Sequence, residues 1–541
     1  MTARARRARS SALLLAIVAI GLALRLALLP RVAFHTDEYR SLHRALAVAN
    51  GDLFLDGDPS QKPPLFYMLL AAIFGFTGPS VTAALLPDLV ASLASIPLAC
   101  GIARWLYADE ATALLAAWFT STSLFAVLFA PTILLDPFMV LLLLAAWWAA
   151  LAGRPGWSGV LAGLACATKQ QAIVSLPLVA ATVLLFEPAP GTAAARIGAW
   201  RSAVRWASGL AAPLAALLAW GLGSARAPLF FVGGQIENER RAIGAPLLVL
   251  PWRDGVAELS GRIAGWGRVV APVLADPWVT ALAAVGLLCV AAFASRSTDV
   301  AGARGAGASV ADAVLASRRR RADVLVAAGI AVHFATLVFV RFRYIDRYVL
   351  PLAPLLAIAL ARTVASAARF VAGAPRGAGA NATDGREPAR RVLAAALVAV
   401  LVAAPLVAFA RRSQVARIAD RPGVGALYDG RTALRPTLAR LAGELAPADE
   451  IYCDLFTYPA AAFFLAPRRV RELTADGLAD LARDPAASAG GSRIVVWSAE
   501  LPLKPVRDRL AGRFALVALE RPPGLLVFRA DPIRDPTAGA G

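Results

Sequence analysis

Apolar runs of about twenty residues recur along the chain, and nothing else in the sequence narrows its fold as far. A helix rises ~1.5 Å per residue, so ~20 apolar residues cross the ~30 Å hydrocarbon core of a bilayer. Such runs fall near 11–30, 80–105, 110–130, 134–153, 157–170, 171–187, 203–223, 277–296, 323–341, 348–370 and 392–410. Of the 541 residues, 58% are hydrophobic and only 17% charged, too little charge to cover a soluble protein of this size. The expected fold is mainly α, a polytopic membrane helix bundle of about 11 spans.

The formal net charge of +19 is carried by arginine, since Lys occurs only at 62, 169 and 504. The arginines sit in short clusters between apolar runs, a pattern that suits cytoplasmic loops beside anionic headgroups better than nucleic acid. Cys100, Cys166 and Cys289 lie in apolar segments and Cys453 stands alone, so no disulfide framework or metal-binding Cys pair can be built. The N-terminal "MTARARRARSSALLLAIVAIGLALRLALLP" has a basic head, but its apolar run is too long for a typical signal peptide. It reads as an uncleaved first helix that starts in the cytoplasm.

The stretch "LFYMLLAAIFGFTG" (65–78) is too short to span. If it does not cross, "ARWLY" (103–107), "GRPG" (153–156), "AARIGAWRSAVR" (194–205), "SRRRR" (317–321) and "REPARR" (386–391) all fall on the cytoplasmic side. We therefore read 65–78 as interfacial or re-entrant. The protein is then expected in the cytoplasmic (inner) membrane, with the first loop (31–79) and the 224–276 loop outside. The loops at 297–322 and 371–391 are Gly/Ala/Arg-rich linkers, and "NAT" (381–383) falls inside on this topology, so it is no glycosylation site. After a membrane domain of 1–410, composition changes. "EIYCDLF", "RIVVWSAE" and "FALVALERPPGLLVF" read as strands, the last as a hairpin around Pro-Pro-Gly. With helices near 431–445 and 472–483, residues 411–541 are expected to form a small extracytoplasmic α/β domain.

The same topology gathers polar residues on one side. The first loop brings His35, Asp37, Glu38, Arg40, Gln61 and Lys62; "PTILLDPFMV" brings Asp136. Lys169, Gln170 and Gln171 fill the break between two apolar runs, and "FVRFRYIDRYVLPLAP" brings Arg341, Arg343, Asp346 and Arg347. Ionisable groups at membrane depth are costly and face a cavity or a partner, so their convergence points to a site. Each also has a plainer reading. Asp37 and Glu38 could be solvated or sit at a helix start; Lys62 could be a snorkelling anchor; Asp136 before Pro137 could be an N-cap. His333 reads as a packed core histidine and His43 as helix surface. The outer arginines suit a lipid phosphate, with anionic headgroups as the plainer partner.

Taken together, the Asp-Glu of the first loop, "QKPPLFY" about 25 residues later, "LLDPFMV", "LAGLACATKQQA" and "DRYVLPLAP" resemble the GT-C glycosyltransferases. Within that class the closest groups are the protein O-mannosyltransferases and the lipid A aminoarabinose transferases. The resemblance covers the membrane part, most strongly residues 20–180, and is weak beyond 411. It implies transfer of a sugar from a polyprenyl-phosphate carrier to an acceptor at the outer face, with inversion. It also implies Asp37 as the catalytic carboxylate, Arg40 and Lys62 on the donor phosphate, Asp136 as a second acid near the acceptor, and Lys169 in the helix break.

Those residue types suit the chemistry. A carboxylate can take the acceptor proton, and Arg40, Lys62 and Arg347, with Lys169 grouped beside them, can meet the charge developing on a leaving phosphate. Glu38, Gln61 and Gln170 would support them. A divalent metal could share the phosphate charge. However, where some relatives carry an acid before Lys-Pro-Pro this chain has Gln61, and Glu237 and Glu239 in "GGQIENERR" read equally as a solvated face, so no metal site is assigned. The expected activity is an inverting hexosyl- or pentosyltransferase, with membrane lipids and a protein, lipid or glycan acceptor as partners. A transporter or flippase of lipid-linked sugars is the alternative, and a non-catalytic envelope assembly protein a third. The clustering of polar groups at one face, without paired repeats around a midplane, favours the enzyme. Neither the sugar nor the acceptor is encoded in a motif.

Overall fold

A computed structural model of the chain describes residues 2–28, 36–58, 60–186, 193–224, 232–234, 236–237, 240, 248–249, 251–274, 277–296, 310–341, 345–371, 387–410, 434–454, 457–466, 468, 470–473, 492–498, 504, 508, 510, 514–522 and 525–532. The apolar runs all become helices: α1 (Ala3–Leu28), α4 (Val81–Tyr107), α5 (Glu110–Ser121), α6 (Leu124–Leu128), α7 (Leu135–Leu151), α8 (Pro155–Thr168), α9 (Leu176–Leu185) and α10 (Ala193–Gly223). They continue with α12 (Pro277–Arg296), α13 (Val310–Phe339), α14 (Leu352–Val371) and α15 (Glu387–Ala410), while α11 (Val256–Val270) lies within the expected 224–276 loop. Two shorter helices, α2 (Thr36–Ala49) and α3 (Leu65–Thr77), come from the first loop.

Among the described residues, five helices are long and apolar enough to cross a membrane by themselves, those at Arg4–Ala27, Val81–Tyr107, Ile197–Gly223, Val314–Phe339 and Leu352–Val371. Several others, such as Leu135–Leu151 and Gln170–Leu185, are apolar but shorter. The expected 110–130 run is not one rod: Thr122 and Ser123 break it, and the Ser123 side chain caps α6. Apolar side chains such as Val90, Leu184 and Trp200 stand exposed on the outer faces, which lipid covers in a multi-pass membrane protein.

Glycine sets the closest helix contact. A Cβ on Gly159 would lie 2.0 Å from the Trp206 carbonyl oxygen, and one on Gly209 would lie 2.2 Å from that of Gly156. With no side chains there, α8 and α10 meet backbone to backbone, the small-residue packing that membrane helices use when no hydrophobic drive separates them from lipid. This contact anchors α8, whose C-cap residue is Lys169.

The two ends of the bundle differ in composition. At one end, Arg319 donates to the Tyr107 carbonyl (2.9 Å) and Arg321 to that of Leu185 (2.9 Å), while Arg318 donates to the Trp105 carbonyl. The arginine run thus caps the C-termini of α4 and α9, whose last carbonyls lack helical partners. At the other end lie the starts of α4 and α7, the end of α8, and the loops that carry the polar residues. There Arg262 of α11 donates to the carbonyls of Leu337, Val338 and Val340 at the end of α13.

The C-terminal part is a five-stranded sheet of β1 (Glu450–Cys453), β2 (Val470–Glu472), β3 (Arg493–Ser498), β4 (Phe514–Glu520) and β5 (Leu525–Pro532), in the order β2-β1-β3-β5-β4. Strands β1, β2 and β3 run parallel, with Ile451 opposite both Val470 and Ile494. Strands β4 and β5 form the expected antiparallel hairpin, with a register shift between Ala518 and Glu520. Helices α16 (Leu434–Glu444) and α17 (Tyr458–Phe464) flank the sheet. The helix expected over 472–483 lies largely outside the described residues, and its start, Glu472, closes strand β2 instead. Residues 411–433, where the domain boundary was drawn, also lie outside them.

This sheet does not stand apart. One buried cluster joins Leu42 and Tyr39 of α2, Phe66 and Leu70 of α3, and Ile451, Phe463 and Val527 of the C-terminal part. The rings of Tyr39 and Phe464 meet edge-on at 6.0 Å, and those of Phe74 and Phe463 at 6.2 Å. Thirteen residues make α3 about 20 Å long, short of a bilayer, and its apolar face is spent on α2 and α17.

Candidate active site

Helix α2 begins at Thr36, so Asp37 and Glu38 fall in its first turn, where carboxylates suit the positive end of the helix dipole. Adjacent on the chain, they face different partners. Asp37 binds Arg347, lies 3.3 Å from Lys62 Nζ, and has Arg40 at 3.8 Å. Glu38, almost fully buried, instead accepts the backbone N–H of Ile133 at 2.8 Å. Three cations from three segments therefore gather on the Asp37 carboxylate. Lys62 is no snorkelling anchor, since its side chain is only 14% exposed and turned onto Asp37. Burial pulls its ammonium below the usual lysine range, against the opposing charge of Asp37.

The loop that presents Lys62 is held from every side. Asp52 accepts the N–H groups of Asp56 and Gly57, Trp220 donates to the Leu53 carbonyl (2.8 Å), and Ser224 donates to Asp56 (3.0 Å). Asp58 takes Arg44 (3.2 Å) and His43 (3.1 Å). Burial alone would raise the Asp58 carboxyl, but the His43 hydrogen bond and the Arg44 charge outweigh it and hold it at about 2. His43 is thus not the free helix surface the sequence implied: its ring also packs edge-on against Tyr458 of α17 at 5.4 Å. Gln61 is exposed, and its backbone carbonyl accepts from Gln170 Nε2 at 3.0 Å.

Asp136 is not an N-cap. Leu134 holds that position without a side-chain cap, and Asp136 sits in the first turn of α7. Its carboxylate pairs with Lys169 Nζ at 2.5 Å, each side chain 3% exposed. Lys169 Nζ also lies 5.1 Å from the ring centre of Tyr348. The sequence placed Lys169 with the phosphate-binding cations; the structure commits it to Asp136. The pair adjoins the Asp37 cluster, since the Asp136 charge acts on both Lys62 and Arg347.

The outer arginines separate. Arg347 enters the site, whereas Arg341 binds Glu258 (2.7 Å) and Asp254 (3.0 Å) and so fastens the segment before α11. His35, Arg343 and Glu239 lie outside the described residues, and Glu237 pairs with Arg240 on the surface. His333 is buried, as its apolar setting implied, and lines a cavity of ≈ 20 Å³ with Asp136, Gln171, Thr336 and Tyr348. Asp88 of α4, which no motif in the sequence marks, is fully buried and accepts the Leu134 N–H at 2.9 Å. The available signal was a lone acid inside an apolar run. The C-terminal sheet reaches the same region through Glu472. Burial raises its carboxyl above the usual range, and the Arg40 charge opposes that rise.

Among the described residues no three His, Cys, Asp or Glu side chains come together to hold a metal ion. Asp37 is shared by cations, Glu38 accepts a backbone N–H, and Gln61 is neutral.

No protein-family model matches the chain, and no curated protein matches it in sequence. Solved structures do match. The crystal structure of ArnT from Cupriavidus metallidurans in the apo state superposes with a TM-score of 0.58 at 17% identity, covering 96% of this chain and 98% of that one. The same protein bound to undecaprenyl phosphate gives a TM-score of 0.53 at 15% identity, covering 98% of each chain. Over nearly its whole length, bundle and C-terminal sheet together, the chain has the fold of ArnT.

Proposed function

We propose that the protein is a membrane glycosyltransferase that takes a sugar from a polyprenyl-phosphate carrier. The observation that carries this reading is the convergence of Arg40, Lys62 and Arg347 on the single carboxylate of Asp37. Three half-buried or buried cations around one acid are poised for a further anion. A phosphate monoester or diester supplies it, and guanidinium forks match its geometry. The ArnT structure that contains undecaprenyl phosphate supports a carrier of this class.

The donor phosphate would enter the cation cluster and draw Arg347 and Lys62 away from Asp37. The carboxylate, released from its ion pairs, becomes basic enough to accept the proton of an acceptor hydroxyl. As that proton moves to Asp37, the acceptor oxygen forms a bond to the anomeric carbon, and the bond from that carbon to the phosphate oxygen breaks. The electron pair leaves with the polyprenyl phosphate, where Arg40, Lys62 and Arg347 stabilise the added charge in a site of low polarity. One displacement inverts the anomeric centre. The Asp136–Lys169 pair, an acid and a base that neutralise each other, would form the acceptor side.

The arginine-capped end of the bundle fits the cytoplasmic side by the orientation bias of basic residues, so the site would face outward and serve an envelope acceptor. Full-length protein in liposomes, given labelled polyprenyl-phosphate sugar and envelope extract as acceptor, should transfer label, and Asp37→Asn should not. Transfer at the wild-type rate by Asp37→Asn would remove the catalytic assignment. Movement of intact lipid-linked sugar across the liposome without transfer would replace the reading with a transporter.

A further inference from the structure

The start of α7, which carries Asp136, has no cap of its own. Its N-cap residue is Leu134, which offers no side-chain acceptor. The preceding residues Thr132, Ile133 and Leu134 are all buried, so the N–H groups of 133 and 134 are out of reach of water and of any helical carbonyl. A buried N–H left unpaired costs about 1–3 kcal/mol. Both are satisfied from elsewhere in the fold. Glu38 of α2 accepts Ile133 N–H at 2.8 Å, and Asp88 of α4 accepts Leu134 N–H at 2.9 Å.

Asp88 lies inside a membrane helix with 0% exposure, and its second oxygen, Oδ1, is buried without a hydrogen-bond partner. Thr132 Oγ1, 3.4 Å from Asp88 Oδ2, already donates to the Phe129 carbonyl at 2.7 Å. A carboxyl group in such a place is expensive, and its firm contact is a single backbone amide. Glu38 follows Asp37 directly, so the helix turn that aims Asp37 at the cations also aims Glu38 at the Asp136 segment.

We infer that Glu38 and Asp88 are positioning residues, caps supplied in trans that hold the 132–134 segment so that Asp136 meets Lys169 in register with Asp37. Glu38 ties the two halves of the site through α2; Asp88 fixes the same segment to α4. Both act through the place they give Asp136. The inference rests on the proposed glycosyl transfer for its kinetic consequence, but not for its structural one.

Two measurements separate these. In the full-length protein, Asp88→Asn and Glu38→Gln keep an acceptor oxygen, whereas Asp88→Leu and Glu38→Leu remove it. Hydrogen–deuterium exchange over 129–136 should rise in the Leu variants and stay at the wild-type level in the amide variants, whatever the reaction is. In the transfer assay the Leu variants should lose kcat by roughly 30- to 100-fold, the scale of an ångström of misplacement. Donor KM and undecaprenyl phosphate binding should change by less than about twofold in the variants of Asp88, whose carboxylate accepts the Leu134 N–H. The amide variants should restore kcat to within about threefold, as a hydrogen-bonding role requires. A general loss of folded protein would not produce that split.

Unchanged exchange in folded Leu variants overturns the inference. So does an Asp88→Asn defect as large as that of Asp88→Leu, which would assign Asp88 a charge or proton role instead. If Asp88→Leu does not fold, Glu38→Ala carries the same comparison. If the wild type transfers nothing while exchange responds as stated, the capping stands and the proposed function fails.

Discussion

The two ends of the helix bundle use arginine in opposite ways. At the α4–α9 end several arginines hold partners of their own. Arg318, Arg319 and Arg321 take helix carbonyls, Arg362 holds Asp323 in a paired contact (3.1 and 3.2 Å), and Arg369 holds Asp109 (2.8 Å). At the α2–α7 end, Arg40, Lys62 and Arg347 share one carboxylate. At the first end arginine builds structure, by holding helix carbonyls or a single acid. Surplus charge held in place by neighbouring elements is what an anionic ligand can exploit. The comparison also separates Arg341, which lies at the site end but is saturated by Asp254 and Glu258, from Arg347, which is not.

The largest test removes the shared acid. Asp37→Asn should lower transfer by about 10²- to 10⁴-fold, the usual range for a general base, with carrier binding kept or tightened because the cations lose a competitor. Rate and undecaprenyl phosphate affinity measured together would break the comparison if binding fell with the rate. Next, Arg347→Gln should cost about 10²- to 10³-fold in kcat, as removal of one charged donor from a leaving oxygen does, and should weaken undecaprenyl phosphate binding. A thermal shift without a kinetic defect would move Arg347 into the structural class. Lys169→Met leaves Asp136 buried without its cation, so a loss of about 3–5 kcal/mol in stability is expected, read as detergent-resistant folded fraction. Lys169→Met with Asp136→Leu should recover much of that stability while transfer stays low. The smallest effect belongs to the other end. Arg319→Gln should lower stability by about 0.3–1 kcal/mol, the scale of a charge at a helix C-terminus, and leave kcat and donor KM within about twofold.

Much of the site was legible because ionisable residues are rare in an apolar chain. Asp37, Lys62, Asp136, Lys169 and Arg347 stand out against their surroundings, and their loops alternate in a way that gathers them at one end. Their pairings were not legible. Lys169 had been grouped with the phosphate cations, yet the α8–α10 glycine contact and the break after Thr168 carry its ammonium to Asp136. Asp37 and Glu38 are neighbours with the same chemistry, and only the 100° turn between successive helix positions gives them different partners. His43 read as surface because its partner, Asp58, lies in a loop without regular periodicity and its ring partner, Tyr458, is more than 400 residues away.

The C-terminal part gives the same lesson at larger scale. Its strands β1, β3, β4 and β5 were visible as β-branched and aromatic runs, but three-residue β2 was not, since so short a strand carries too little pattern. The sequence implied a small α/β domain after 410 but not its contact: α17 packs its aromatic rings against α2 and α3 beside the site. Short connections between apolar faces leave no mark on composition.

By itself, then, the sequence determined that this chain fills a membrane with helices and carries an acid, several cations and a Lys-Pro-Pro loop at one end. Hydropathy and charge bias act locally, residue by residue, and can be read that way. The tertiary structure alone decided which cation meets which acid, that Asp88 and Glu38 cap α7 from other helices, and that the C-terminal sheet closes over α2. Those outcomes depend on contacts between segments tens to hundreds of residues apart, where geometry rather than composition selects the partner.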